Sequence, residues 1–334
     1  ADWLKDHGQE HESFFLFVDE FDPHEPFDTP EPWASLYDRD WTGERIIWPP
    51  YSTDTLKNGV ITERQAHHIR QNYGAKLSMI DHWLGKVLDA LDNGGFWDDT
   101  MVILCTDHGH YLGEKDIFGK PRVMQYEPIG HTPLLIYHPD AAPNVISSLS
   151  TNVDLHATLT DLFDLNVDHV THGRSLLPDI LGLKTPARDW AVGGIFGNWV
   201  QIQDGRYKYA RGPTTDNYPL SMWSNRWSTM PVPYYPGLRL PNPDARAYID
   251  FMPGSSVPVL RQPFEPGDML PFWSMDASLD DHYLFDLQED PHEEHNLIGS
   301  KLEHQMIALL EDALRDLNAP AEQATRLGLP SASQ

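Results

Sequence analysis

Two short polar segments contain the residues of this sequence whose types and spacing could do chemistry. In the first, CTDHGHYLGEKDIFGK at 105–120, Asp107 and His108 follow the apolar run MVIL, and Lys120 comes twelve residues after His108. A carboxylate oxygen and an imidazole nitrogen suit a divalent cation such as Ca²⁺, Mn²⁺ or Zn²⁺. Gly109 lets the backbone turn behind this pair, and Lys120 could place a positive charge beside a bound oxyanion. The segment predicts half of a metal and oxyanion site, with an ordinary polar turn as the alternative.

The second segment, DPHEPF at 22–27, contains Asp22, His24 and Glu25 and follows the apolar run FFLFV at 14–18. A buried strand that ends in a charged, proline-containing loop is the expected structure. Asp22 and Glu25 are predicted to do no more than orient His24, as carboxylates beside a functional histidine do. The alternative for His24 is a loop histidine that caps a turn.

A long amphipathic helix is predicted between these two segments, over 62–93. Its apolar residues recur every three or four positions, and Thr62 with Gln65 fits a capping box. The sequence Asn93-Gly94-Gly95 then ends the helix.

Strands and helices alternate through the first half of the sequence. Apolar runs at 100–106 and 132–139 predict further strands, the first of them covered on both faces, and a helix follows over 152–165. The pattern predicts an α/β fold with a mostly parallel central sheet flanked by helices. In such sheets ligands bind at the carboxyl ends of strands, where both polar segments are placed.

A smaller antiparallel sheet with a terminal helix is predicted after residue 190. Asp204-Gly205 marks a hairpin turn, a strand is expected over 281–287, and a helix over 301–317 begins with Ser300 and Glu303 as a capping box. We therefore predict two domains, an α/β domain over 1–190 and a C-terminal α+β subdomain over 191–334. The second domain includes a loop region rich in proline and aromatic residues over 212–278.

The composition excludes several classes of partner. Lys and Arg total 24 against 50 Asp and Glu, for a formal net charge of -26, which argues against nucleic acid. The apolar stretches are too short to cross a membrane. A single cysteine, Cys105, excludes an internal disulfide framework and a multi-cysteine zinc site. The compartment and the oligomeric state stay open.

The chain resembles the sulfatase family of the alkaline-phosphatase superfamily. The resemblance spans about residues 14–317 and rests on stretches that come in the family's order: FLFVDEFDPHEPF, TMVILCTDHGHYLGEKDIFGKP, YEPIGHTPLLIYHP, TNVDLHATLTDLF, GRYKYAR and HYLFDLQEDPHEEHNL. It implies an alkaline-phosphatase-like fold and a metal-dependent sulfuric-ester hydrolase. The expected substrate is a small-molecule or carbohydrate sulfate ester.

The resemblance also implies roles for single residues. Asp107 and His108 are two metal ligands, His108 standing where some members have Asn, and Ca²⁺ is the expected metal, with Mn²⁺ or Zn²⁺ as alternatives. Lys120 contacts the sulfate and the leaving oxygen. His24 lies on the other side of the sulfate, where it hydrogen-bonds the sulfate or protonates the departing alcohol. Four other histidines match no family ligand and are expected to be ordinary ones: His110, His131, His138 and His156.

One part of the family pattern is missing from this sequence. Members begin with a strand that ends in paired aspartates, followed by a Cys-x-Pro-x-Arg or related serine segment whose Cys or Ser becomes formylglycine, the nucleophile. Cys105 lacks that context and is predicted to be a core cysteine. The chain is therefore expected to start partway through a sulfatase, with an N-terminal segment that supplies the nucleophile, and to be inactive alone.

Two other functions remain open from the sequence. A phosphonate or phosphate mono- or diester hydrolase of the same superfamily would use an Asp-His pair and a loop lysine equally well. A non-catalytic remnant of the fold is the alternative from another class.

Overall fold

In the computed structural model, which describes residues 1–183, 188–214, 217–224, 246–252, 254–268 and 281–330, a 32-residue helix, α2 (Glu63–Gly94), separates the two polar segments. The Thr62 hydroxyl accepts a hydrogen bond from the Gln65 N–H, and the Gln65 side chain accepts one from the Thr62 N–H at 2.8 Å. Gly95 follows the helix in the left-handed conformation, with φ of 65°. The predicted capping box and the glycine stop are both confirmed.

The other elements within residues 1–141 are short. Besides α2 they are α1 (Asp2–His7), β1 (Val102–Cys105), β2 (Tyr111–Leu112), β3 (Phe118–Gly119), α3 (Glu127–Gly130) and β4 (Leu134–Tyr137). β1 pairs antiparallel with β4, and β2 pairs antiparallel with β3. The segments 1–121 and 128–141 form one compact unit. In one of its core clusters α2 packs against the loops before it and against β3, through Phe27, Ile61, Ala66, Ile69 and Phe118.

Two of the predicted strands differ in the structure. Residues 14–18 do not form a strand, and Phe15 and Phe17 are 62% and 72% exposed. A strand is held by ladder hydrogen bonds to a neighbour, and no strand in the described residues pairs with this run. An apolar run indicates a segment that avoids water, but it does not identify the strand that would pair with it.

The strand β1 forms where it is predicted, but it is not a buried parallel strand. Its partner β4 runs antiparallel to it, Leu104 is 44% exposed, and Cys105 is exposed. The prediction of a core cysteine is therefore wrong. Helices and strands are mixed along the chain, as in an α/β fold, but every strand pair in the described residues is antiparallel, so the predicted parallel pairing is not seen there.

The second compact unit consists of residues 122–127 and the described residues from 142 onwards. A four-stranded antiparallel sheet in the order β11-β7-β6-β5 forms its centre, and a three-stranded sheet in the order β8-β10-β9 is separate from it. The elements are α4 (Val153–Leu162), α5 (Leu177–Ile180), β5 (Ala191–Gly194), β6 (Val200–Gln203), β7 (Tyr207–Arg211), β8 (Leu220–Ser224), β9 (Tyr248–Phe251), β10 (Pro258–Phe264), β11 (His282–Asp286), α6 (Lys301–Asp316) and α7 (Glu322–Arg326).

The predicted hairpin, the strand over 281–287 and the last helix are confirmed in this unit. One face of α6 packs on the four-stranded sheet, where Tyr209 and Leu284 meet Met306 and Leu310. Ser300 does not cap α6, because its side chain makes no cap hydrogen bond, and Glu303 instead accepts from the Gly299 N–H at 2.8 Å.

The domain boundary at residue 190 and the loop region 212–278 stay predictions. Much of that loop region, including Trp227, Tyr234 and Tyr235, lies outside the described residues. Among the described helices, none combines the length and the apolar character that a bilayer crossing requires.

Candidate functional site

The loop that follows β1 presents Asp107 and His108 to solvent. The Asp107 carboxylate is 81% exposed and its Oδ2 lies 3.5 Å from Nε2 of His108, whose side chain is 44% exposed. The backbone N–H of His108 donates to Oδ1 of Asp107 at 2.8 Å, and Nδ1 of His108 donates to the Gly109 carbonyl oxygen at 2.9 Å. Because Nδ1 donates to a carbonyl oxygen, Nε2 is the ring nitrogen that could bind a metal ion beside the Asp107 carboxylate.

Gly109 allows this loop to lie directly against α3. Its N–H donates to the carbonyl oxygen of Ile129 at 3.0 Å. A Cβ placed on Gly109 would stand 1.9 Å from the carbonyl oxygen of Pro128. Only glycine permits this approach, since the obstructing atom belongs to the backbone and cannot rotate away.

We expect the substitution Gly109→Ala to lower the free energy of unfolding by about 3 kcal/mol, because the added methyl group must displace backbone atoms. Urea denaturation of the two proteins measures this difference. Gly130→Ala is the matched control, since Gly130 lies in α3, against which the loop packs, and nothing lies within 4 Å of a Cβ placed there. A Gly109→Ala protein as stable as the Gly130→Ala protein would contradict the close approach.

The Asp107 and His108 pair offers two donors for a divalent cation, one carboxylate and one imidazole. Burial by itself would raise the pKa of Asp107, but the hydrogen bond from the His108 N–H and the nearby imidazole hold that pKa below its ordinary value. The carboxylate is therefore an anion over a wide pH range, as a metal ligand must be. In the described residues no cluster of three or more His, Cys, Asp or Glu side chains could hold a metal ion. The pair fits a cation as part of a ligand set that needs further donors.

A second cluster surrounds the fully buried carboxylate of Glu25. Nζ of Lys120 lies 3.3 Å from Oε1 of Glu25. On the other oxygen, Oε2, Nε2 of His110 lies at 3.4 Å and Nδ1 of His24 at 3.6 Å. Lys120 and His24 are 19% and 36% exposed, so both keep a face towards solvent while they contact the buried acid.

The loop that carries His24 and Glu25 is held by a lysine of α2. Nζ of Lys76 lies 2.7 Å from Asp22 and donates to the Pro26 carbonyl oxygen at 2.5 Å. Asp22 therefore pairs with this lysine, which is 5% exposed, and the prediction that it orients His24 is not supported by these contacts. Nδ1 of His24 donates to the Glu25 carbonyl oxygen at 2.6 Å.

Glu25 also makes the stability of the fold depend on pH. Burial by itself would raise the pKa of Glu25, but His110, the Glu25 backbone N–H and the charges of Lys120 and His24 outweigh it and lower the pKa from 4.5 to about 2. Because the folded protein holds this carboxylate ionised to lower pH than the unfolded chain does, the unfolded state binds more protons as the pH falls. The stabilisation is thus present above pH 4.5 and is lost as the pH approaches 2.

We expect the difference in unfolding free energy between the wild type and the Glu25→Gln protein to shrink by at most about 3 kcal/mol across that range, the equivalent of the pKa shift. Urea denaturation at a series of pH values between about 5 and 2 measures it. A difference that stays constant across this range would show that Glu25 does not titrate as its surroundings require.

The structure brings together two of the four predicted site residues directly, since His24 and Lys120 share the Glu25 carboxylate. Asp107 and His108 form their own pair, and His110, two residues further along the same loop, contacts Glu25. The sequence pattern indicated no functional role for His110 and only an orienting role for Glu25. No spacing could reveal their pairing, because 85 residues separate them.

Other polar residues have local partners outside this cluster. Nδ1 of His138 accepts from the Asp140 N–H at 3.2 Å, and the ring of His156 lies 5.7 Å from that of His169. In the loop 289–295, Glu293 is buried and pairs with Lys208 at 2.6 Å.

The chain is similar to proteins named as sulfatases. A choline-sulfatase of Rhizobium meliloti is 31% identical over 188 residues, which cover 54% of this chain and 36% of that protein. An N-acetylglucosamine-6-O-sulfatase of Bacteroides thetaiotaomicron is 29% identical over 203 residues, which cover 60% of this chain and 35% of that protein. A solved structure from the glycosaminoglycan metabolism of Bacteroides thetaiotaomicron matches with a TM-score of 0.62 at 18% identity, covering 98% of this chain and 60% of that one.

The structural likeness confirms the α/β, alkaline-phosphatase-like fold class. The chain spans just over a third of the length of each of the two curated relatives named above. The sulfatase family model matches residues 1–165, which include both polar segments and all four predicted site residues. Through this match residues 1–165, just under half of the chain, are identified as part of a sulfatase-family domain.

Proposed function

We propose that this chain is part of a metal-dependent sulfuric-ester hydrolase. The observation that carries the proposal is the convergence of His24 and Lys120, distant in sequence, on one buried carboxylate within the unit that also carries Asp107 and His108. Two basic side chains with exposed faces suit an anionic ester in a chain whose net charge is -26, because local cations must overcome the general repulsion.

Lys120 would lie against the sulfate and the leaving oxygen, where its positive charge stabilises the negative charge that grows as the ester bond breaks. His24 would hydrogen-bond the sulfate or give a proton to the departing alcohol. Its Nδ1 is engaged by the Glu25 carbonyl oxygen, so Nε2 is the nitrogen that can face a substrate. Glu25 is buried and reaches substrate only through these two residues.

Asp107 and His108 would supply two ligands of a divalent metal, with Ca²⁺ proposed first and Mn²⁺ or Zn²⁺ as alternatives. A bound cation would contribute positive charge beside the reacting oxygens. The nucleophile is proposed to be a formylglycine that lies outside residues 1–334, since Cys105 lacks the sequence context of that modification.

The proposed substrate is a small-molecule or carbohydrate sulfate ester. The names of the two curated relatives, a choline-sulfatase and an N-acetylglucosamine-6-O-sulfatase, support this class without choosing between its members.

Kinetics of the natural protein that contains residues 1–334 test the proposal. We expect metal-dependent hydrolysis of 4-nitrophenyl sulfate, with kcat/KM at least about tenfold higher than for the phenylphosphonate ester of 4-nitrophenol, since one decade already marks a clear preference in transition-state binding. The reverse order would favour the phosphonate or phosphate ester hydrolase. Turnover of neither ester, in a protein that mass spectrometry shows to lack formylglycine, would favour the non-catalytic remnant.

A further inference from the structure

We infer that Glu25 is a positioning residue that fixes Lys120 and His24 at the leaving-group side of the site, an inference that rests on the function proposed above. The residue is fully buried, so it cannot touch a substrate itself. Its effect on the reaction must pass through the side chains that surround it.

The basic side chains around Glu25 compensate the cost of burying its negative charge. An ionised carboxylate removed from water is strongly unfavourable unless it is paired. Three basic groups at ion-pair distance stabilise the carboxylate, namely Lys120, His110 and His24.

The geometry divides these three groups between the two carboxylate oxygens. Lys120 contacts Oε1, whereas His110 and His24 contact Oε2. His110 is 7% exposed and closes the inner side of the cluster. Lys120 and His24 approach from the more open side, so a single rigid carboxylate sets the distance between the two groups that would meet the ester.

The backbone of this loop does not depend on the Glu25 charge. Lys76 of α2 holds the Pro26 carbonyl oxygen and the Asp22 carboxylate on either side of it. Glu25→Gln keeps the side-chain volume and leaves these contacts in place. The amide, however, presents an N–H₂ group to basic partners where the carboxylate offered an acceptor. The substitution should therefore lower the stability of the fold, as expected above, while the loop backbone keeps its position and the cluster is disturbed.

A positioning role has a signature that lost stability does not have. Proton donation and charge stabilisation at the leaving oxygen matter more when the leaving group is a poor one. A misplaced Lys120 or His24 should therefore slow the hydrolysis of phenyl sulfate more than that of 4-nitrophenyl sulfate. A smaller fraction of folded protein would slow both esters equally.

The experiment compares Glu25→Gln, Glu25→Asp and Glu293→Gln in the natural protein that contains this chain. Glu293 is the matched control, because it is an equally buried carboxylate paired with a lysine, Lys208, at 2.6 Å but outside this cluster. We expect Glu25→Gln to lower kcat/KM for phenyl sulfate at least about tenfold more than for 4-nitrophenyl sulfate, a factor of the size that a positioned proton donor contributes. Glu25→Asp, which keeps the charge, should recover part of that ratio, and Glu293→Gln should leave it unchanged.

Equal losses on both esters in Glu25→Gln, or the same change of ratio in Glu293→Gln, would overturn the inference. A wild-type protein that hydrolyses neither ester would overturn the proposed function instead. The inference is then decided by a crystal structure of the Glu25→Gln protein, in which Lys120 and His24 are expected to leave their wild-type positions. Unmoved side chains there would overturn it.

Discussion

Replacing Lys120 by methionine is expected to lower kcat/KM for 4-nitrophenyl sulfate by about 100- to 1000-fold in the natural protein, the usual effect of removing one group that stabilises a developing oxyanion. Methionine keeps most of the length of the side chain and removes its positive charge. The loss should fall mainly on kcat, because the charge on the leaving oxygen grows only as the ester bond breaks. Steady-state kinetics on the purified variant measures both constants.

Two controls separate this effect from a loss of folded protein. Lys57→Met removes an exposed lysine that pairs with Asp54 at 2.9 Å on the surface, and it should leave kcat/KM within about twofold of the wild type. Lys120→Arg keeps a positive charge near Glu25 and should retain more activity than Lys120→Met, while far-UV circular dichroism confirms that each variant is folded. A Lys120→Met protein with more than about a third of wild-type kcat/KM would contradict the assigned role, since charge stabilisation is worth far more than that.

The helix α2 and the hairpin of β6 and β7 were predictable because their signals are local. Thr62 and Gln65 lie three residues apart and satisfy each other's backbone groups, and Asp204-Gly205 specifies its turn without help from the rest of the chain. Such features depend only on residues that are close in sequence, so a short sequence pattern is enough to predict them.

The two strands that the sequence predicted incorrectly, at 14–18 and at β1, depend on neighbouring strands and covering surfaces instead. An apolar run indicates that both faces of a segment avoid water, but it names neither the neighbour that pairs with it nor the surface that covers it. Phe15, Phe17 and Val18 are more than half exposed, and Leu104 of β1 is also exposed. The apolar composition of both segments is visible in the sequence, whereas their burial and strand pairing depend on partners that an apolar run does not identify.

The candidate site divides in the same way. Asp107 and His108 are adjacent, so a short motif could indicate them, and Lys120 lies on the same segment. Glu25 and His110 meet only because the loop on one side of α2 folds against the loop after β1. Contacts between a buried acid and basic residues from distant segments produce no recognisable spacing in the sequence.

The largest effect of a metal ligand is expected at Asp107. Replacing it by alanine removes the carboxylate of the proposed ligand pair and leaves His108 as the single donor of that pair. We expect kcat/KM for 4-nitrophenyl sulfate to fall at least about 100-fold at a fixed Ca²⁺ concentration, because even residues that only support a metal ligand cost 10- to 100-fold when they are lost. The Ca²⁺ concentration that restores half of the activity after treatment with a chelator should rise by a similar factor.

The position of Asp107 makes this substitution informative, since its side chain is 81% exposed and can be removed without opening the core. Asp99→Ala is the matched control, because Asp99 is an exposed aspartate whose carboxylate accepts only from the neighbouring Thr100 hydroxyl, at 3.1 Å, among the contacts described. It should keep the wild-type Ca²⁺ dependence. Isothermal titration calorimetry of Ca²⁺ gives a readout that needs no turnover, and an Asp107→Ala protein that binds Ca²⁺ as tightly as the wild type would remove this residue from the metal site. An unchanged affinity in Asp107→Ala together with a weakened one in His108→Ala would place the cation on the imidazole side of the loop alone.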